Sequence, residues 1–361
     1  MTIGCGHDSG RPVTDGHATP VHGDPEAQPA GDRGDAQGRG ESADVVQERK
    51  IKYGIDLITL YDTELWGISD FNQFYDNTVI KPEAFWDKAL DILGASGIDG
   101  IEITFGPGHW QNALTRYGSA EKFKDAVAER GLEVCSGFFT GLVLDGDWRD
   151  EAQQKKLYAD VADYADFLRA AGCSIMIAGL PIRTTWNADP PTFIDHDYVR
   201  RLSDVLNRMG YIAAQRGVNL SIHPETHAVL WLRRDIDLFL ACTDPIYVNF
   251  CPDTAHITTG GSNPSEIFKD HHTRIEITHW KDAKSGVPRR QVLDDGVFKS
   301  HHRFFARVGL GEVDWPQWVR TLRDHNFEGW AIVELDAASN PPATIAGAKE
   351  FIETSLTPIY S

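Results

Sequence analysis

The chain has 361 residues, 41% of them hydrophobic and 10% aromatic, with 53 Asp and Glu against 35 Lys and Arg. That length and composition supply a full globular core, and the formal charge of -18 repels phosphate backbones and anionic membrane surfaces, which argues against nucleic acid as a partner. No segment reaches the ~18 uninterrupted apolar residues of a membrane helix, residues 1–50 hold no apolar run of signal-peptide type, and Cys5, Cys135, Cys173, Cys242 and Cys251 form neither a CxxC pair nor a regular framework. The expectation is a cytoplasmic protein without disulfides or a thiolate zinc site.

Residues 1–50 contain no Phe, Trp or Tyr and are dense in Gly, Asp, Ala, Pro and His. Such a stretch cannot bury enough surface to offset its ordering entropy and reads as a disordered N-terminal tail, with His7, His17 and His22 as non-binding residues of a flexible tract. Residues 51–361 then read as one catalytic domain. From Tyr53 onward short β-rich runs alternate with longer amphipathic segments, the pattern of parallel strands joined by crossover helices. Strands are expected at 53–59, 98–105, 132–140, 173–180, 218–225, 247–253, 275–282 and 330–336, and helices at 82–96, 119–131, 151–172 and 197–217, several opening on Pro, Ser or Asp and ending at Gly. Eight βα units over about 300 residues match a (β/α)8 TIM barrel. A doubly wound sheet would carry a glycine-rich phosphate loop after its first strand, and neither GxGxxG nor GxxxxGK[ST] occurs. Two long insertions, one after strand one and one from Ala283 to Val313, are then loops above the C-terminal face, where substrate walls are built.

Four consecutive expected strands end in metal-capable side chains: Glu225, Asp253, His279 and Glu334. Each alone has an ordinary reading, the acid as a helix N-cap and the histidine as a hydrogen-bonded core residue. Barrel closure, however, sets strands five to eight side by side and turns these groups toward one axis. Three carboxylates and an imidazole suit a divalent ion, Mn²⁺ first, with Mg²⁺, Co²⁺, Fe²⁺ or Zn²⁺ as other occupants. Strand alternation puts Lys281 on the face of His279 and His223 on the face of Glu225. His227 follows in the loop "HPETHAV", His256 lies three residues past Asp253, and Asp282 is placed to orient Lys281.

The segments "PDTAH", "THWKDA" and "VGLGEVDWPQWVRTLRDHNFEGWAIVELD" together resemble the sugar-phosphate isomerase/epimerase superfamily, the xylose-isomerase-like TIM barrels, over roughly residues 53 to 356. The resemblance implies a divalent metal held by Glu225, Asp253, His279 and Glu334, with His256 on substrate. Within the superfamily, "IHPETH" and "DDGVF…GLGEVDW" are most similar to inosose dehydratases and 3-oxo-glycoside lyases, including the catalytic subunits of C-glycoside deglycosidases. Enzymes of this kind polarise a ketone with the metal, remove the neighbouring C–H proton, and either expel a β-substituent or reprotonate the other face. Epimerases use a pair of glutamates, here Glu225 and Glu334. Lyases lean on histidines, and His223 and His227 favour elimination, although His223 also reads as a structural strand residue.

The expected catalytic set is therefore His223, Glu225, His256, Lys281 and Glu334, with His109, Trp110, His227 and Trp66 on substrate. The first loop, carrying Trp66, Phe71, Phe74 and Tyr75, suits an aromatic aglycone or a partner subunit, or else forms a lid packed on its own aromatics. His109 and Trp110 stack on a sugar or merely cap the barrel, and Glu102 reads as a buried polar anchor. The expected function is a metal-dependent lyase on a keto-sugar, 3-oxo-glycoside or keto-cyclitol, with a ketose 3-epimerase or isomerase as the alternative. A homo-oligomer or a hetero-oligomer with a small second subunit is expected. The superfamily's endonuclease branch needs more strand-end histidines and a basic face, and a non-catalytic sugar-binding barrel would have lost metal ligands that are all present here.

Overall fold

The computed structural model describes residues 50–360 apart from 145–146, 185, 187–188, 285, 292–299 and 337. The tail histidines His7, His17 and His22 and the "DDGVF" segment at 294–298 lie outside the described residues. Eight parallel strands form the central sheet: β1 Ile51–Asp56, β2 Gly100–Ile103, β3 Glu133–Phe139, β4 Ile175–Gly179, β5 Asn219–His223, β6 Val248–Phe250, β7 Ile277–Trp280 and β10 Gly329–Val333, in the order β6-β5-β4-β3-β2-β1-β10-β7. They correspond one for one to the eight expected strands. Between β6 and β7 the circle is completed by a single parallel bridge, Asp253 to His279, in which the His279 N–H donates to the Pro252 carbonyl at 2.9 Å. A short antiparallel ribbon, β8 Asp282–Ala283 with β9 Phe305–Ala306, leaves the mouth after β7.

The crossover helices begin where the sequence places their caps. Pro82–Ser96 opens on proline and stops at Gly97 in the left-handed region, and Ser119, Asp150 and Asp195 accept backbone N–H groups at the starts of Ala120–Ala128, Glu151–Ala170 and His196–Ala214. Each helix lays an apolar stripe on the sheet, for example Phe85, Trp86, Ala89, Leu90 and Leu93 of the first. Inside the strands, Cys251, Ile277 and Ile332 pack in one apolar cluster and share a strand face with Asp253, His279 and Glu334 two residues further on. That cluster is the floor on which the polar strand ends stand. No helix among the described residues is long and apolar enough to cross a membrane.

The "VGLGEVDW" run is explained by Asp282, which does not orient Lys281 as the sequence suggests. Its buried carboxylate accepts hydrogen bonds from the N–H groups of Gly309 (3.0 Å), Gly311 (2.9 Å) and Val313 (3.1 Å) and from Trp315 Nε1 (2.7 Å). Gly309 needs its left-handed φ of 88°, and a Cβ on Gly311 would come within 2.2 Å of Asp282 Oδ1. Alternation accounts for the division of labour, since adjacent residues point to opposite sides and only Lys281 can face the axis. Asp282→Ala orphans these buried donors and should lower unfolding free energy by about 3–5 kcal/mol, read as a reduced denaturant midpoint at unchanged m-value.

Candidate metal centre and its cavity

His223 is the last residue of β5, Asp253 follows β6, His279 lies within β7 and Glu334 follows β10. All four are buried, and one ligand atom from each lies within 4.8 Å of the others. Asp253 does both things that an acid after a strand can do. Its Oδ1 caps the helix Thr254–Thr259 by accepting the His256 N–H at 2.7 Å, while its Oδ2 has no hydrogen-bond partner among the described residues. Both His223 ring nitrogens are likewise unpartnered, and His223 Nε2 stands 3.7 Å from Asp253 Oδ2, beyond hydrogen-bond range. Buried polar atoms without partners are costly unless a bound species satisfies them. An ion about 2.1 Å from each donor holds its ligands at most about 4.2 Å apart, so the four atoms fit one divalent ion with a small inward adjustment.

Glu225, expected on the metal, is not brought into this group; His223 stands there in its place. The i, i+2 rule holds only while the strand continues, and β5 ends at His223 because Pro224 follows. Glu225 starts a turn, its N–H donating to the Leu230 carbonyl at 2.9 Å, and its carboxyl lines the cavity above the cluster, where burial pushes it up to about 8.

His279 is held between carboxylates. Nδ1 is 2.8 Å from Glu334 Oε2 and Nε2 is 3.2 Å from Glu102 Oε2, which also accepts from Ser136 Oγ at 2.5 Å. Burial alone would depress the imidazole, but Glu102 and Cys251 outweigh it and hold its pKa well above the ordinary value. Glu102, on β2 and fully buried, is thus the acid that orients this histidine of the candidate metal group through its Nε2. Glu102→Gln should weaken metal binding by about 10–100-fold, measured by competition with a chromophoric chelator, with the circular dichroism spectrum retained.

Lys281 places its buried ammonium 2.5 Å from Glu334 Oε1, 3.1 Å from Asp336 Oδ2 and 3.2 Å from His256 Nε2. Burial opposes the charge, but Asp336 and Glu334 hold the lysine pKa well above its usual value. Desolvation drives Glu334 upward, yet Lys281 and His279 reverse this and keep it well below the carboxylate range. Burial, aided by Lys281, holds His256 well below the usual imidazole value, so the ring is neutral. Its Nδ1 accepts the Thr226 backbone N–H at 3.0 Å, and its Nε2 faces the Lys281 ammonium. Asp336, pushed up to about 7 by burial, was not singled out from the sequence, although it follows Glu334 at the same i, i+2 spacing that relates His279 to Lys281.

These groups open into a cavity of about 930 Å³, counted with its open mouth. His223, Glu225, His256, Glu334 and Asp336 make its polar end, Ile58, Phe71, Tyr75, Phe105 and Phe138 its apolar wall, and His301 and His302 reach it from the loop after β7. Four residues expected on substrate are placed elsewhere. Trp66 stacks on Phe85 at 4.9 Å and donates from Nε1 to the Leu60 carbonyl. His109 accepts the Gln111 N–H at the start of the helix Trp110–Tyr117, and Trp110 packs on Tyr164 and Phe167. His227 turns toward Pro288 and His301. Of the first-loop aromatics, Phe71 and Tyr75 line the cavity, while Phe74 is buried against Tyr61.

The family of xylose isomerase-like TIM barrels matches residues 90–355 of the chain. An inosose dehydratase of Lacticaseibacillus casei is 24% identical over 301 residues, which are 78% of this chain and 93% of that protein. Among solved structures, an L-ribulose 3-epimerase superposes with a TM-score of 0.63 at 15% identity, covering 86% of this chain and 95% of the other. The IolI protein with a bound zinc atom gives 0.60 at 16% identity, covering 86% and 98%.

Proposed function

Because the chain belongs to the xylose isomerase-like TIM barrel family, we propose that it is a divalent-metal-dependent lyase acting on a keto-cyclitol, keto-sugar or 3-oxo-glycoside. The observation that carries this reading is the His223–Asp253–His279–Glu334 group at the floor of a cavity also lined by Glu225, His256 and Asp336, which stay outside the ligand set. The relatives named inosose dehydratase support it. Two imidazoles and two carboxylates suit Mn²⁺, Fe²⁺, Co²⁺ or Zn²⁺ better than Mg²⁺, which prefers an all-oxygen shell; Mn²⁺ is the first ion to test.

A bound ion of this kind polarises a ketone and so acidifies the adjacent C–H. Elimination then needs one group to take that proton and another to return a proton to the leaving oxygen. Glu225 and Asp336 meet the requirement, because burial places their carboxyls at about 8 and about 7, where each exchanges a proton near neutrality. The Lys281 ammonium, 2.5 Å from Glu334 and 3.1 Å from Asp336, is the fixed cation beside these acids. Epimerisation is the second reading, favoured by one feature: Glu225 and Glu334 line the same cavity, as a pair of acids working on one carbon would require.

Metal analysis should find one equivalent of a divalent ion, and ¹H NMR in D₂O with scyllo-inosose and with 3-oxo-glucosides should show loss of the β-substituent. Deuterium uptake or epimer formation without loss would move the assignment to epimerase. Neither metal nor exchange would refute both readings. Glu334→Gln should lose metal and turnover together while the chain stays folded.

A further inference from the structure

Among the described residues that line the cavity, His223 and Thr104 are the ones whose buried polar atoms have no hydrogen-bond partner. His223 belongs to the metal group, but Thr104 does not. Thr104 follows β2 and is buried, and the unpartnered atom is its hydroxyl oxygen Oγ1. A hydroxyl both donates and accepts, and one left desolvated and unpaired costs free energy that a valine of nearly the same shape avoids. A bound species that completes the hydroxyl removes this cost. Its neighbours in the cavity wall do not supply a partner: Ile58, Phe71, Phe105 and Phe138 are apolar, and Asp56, at the end of β1, accepts the Ile58 N–H on Oδ1 at 2.8 Å. Strand order fixes where Thr104 stands. In the closed circle β2 lies four strands from β6 in either direction, so its end is across the barrel from Asp253. Glu102, two residues earlier on β2, already spans the interior to His279 Nε2 at 3.2 Å. A keto ring held by its ketone at the metal group therefore turns its far edge toward Thr104.

We infer that Thr104 is a substrate-binding residue whose Oγ1 hydrogen-bonds the substrate hydroxyl furthest from the ketone. The inference rests on the reading that a polyhydroxylated keto compound occupies the cavity. It places a polar contact on a wall that is otherwise largely apolar, and so fixes how the ring is turned about its ketone. Holding the ring at both edges orients the C–H bond next to the ketone toward the acids of the cavity. A site built to bond a substrate hydroxyl also discriminates against the analogue without it.

The test uses the metal-loaded full chain with scyllo-inosose and with methyl 3-oxo-glucoside, each beside its analogue lacking the hydroxyl furthest from the ketone. The pair whose parent the wild type binds more tightly is the one read, as kcat/KM where the ligand turns over and as Kd by calorimetry where it only binds. Thr104→Val should weaken recognition of the parent about tenfold and leave that of the deoxy analogue within about twofold of wild type. Thr104→Ser keeps the hydroxyl and should recover most of the loss. Because Thr104→Val breaks no hydrogen bond within the protein, its denaturant midpoint should equal or exceed that of the wild type. Equal losses on the parent and on the deoxy analogue, or recognition of the parent by folded Thr104→Val within about twofold of wild type, overturn the inference. A wild type that binds its parent ligand without turning it over refutes the lyase reading alone, and Thr104 is then judged on Kd. A wild type that binds neither parent refutes both.

Discussion

Two carboxylates and two imidazoles buried with their ligand atoms within 4.8 Å of one another are the constraint on which the rest of this structure depends. Desolvated acids at that spacing repel, and the interior supplies little screening. The group survives because cationic character is built in from two sides, by Lys281 and by the His279 imidazole, whose pKa Glu102 and Cys251 raise against the effect of burial. The same residues close the barrel. Among the described residues the backbone pairing between the β6 and β7 segments is the bridge from Asp253 to His279, so the seam of the fold runs through the floor of the site. An ion bound there would also tie β6 to β7 and so couple occupancy to stability by mass action.

The strand end at Trp280–Ala283 shows how little sequence such coupling needs. Lys281 faces the axis, neutralises Glu334 and reaches His256, while Asp282 turns outward and gathers the N–H groups of Gly309, Gly311 and Val313. One peptide unit thus separates a group that sets the charge of the site from a group that anchors the segment leading to the last barrel strand.

Much of this was legible in the sequence, for reasons that can be named. The eight strands are β-branched runs bounded by turn residues, and the helices carry their caps, so local chemistry and global fold agree. Asp253, His279 and Glu334 were legible because each stands where a strand meets the axis. Glu225 was misplaced by two residues because alternation was extended through Pro224, which ends the strand. Trp66, His109, Trp110 and His227 looked like substrate contacts because aromatic and imidazole rings serve packing and capping equally well, and only tertiary distances separate these uses. His301, which lines the cavity, was not singled out, since its contact with His227 joins residues 74 positions apart in the chain.

The contacts of His279 say what an ion in this group would ask of it. Its ring nitrogens face Glu334 Oε2 at 2.8 Å and Glu102 Oε2 at 3.2 Å, so an ion held by this imidazole would take the place of one of these contacts and of the proton in it, while the other nitrogen would keep its hydrogen bond to a carboxylate. Lys281, 2.5 Å from Glu334 Oε1, would remain the fixed cation beside the group.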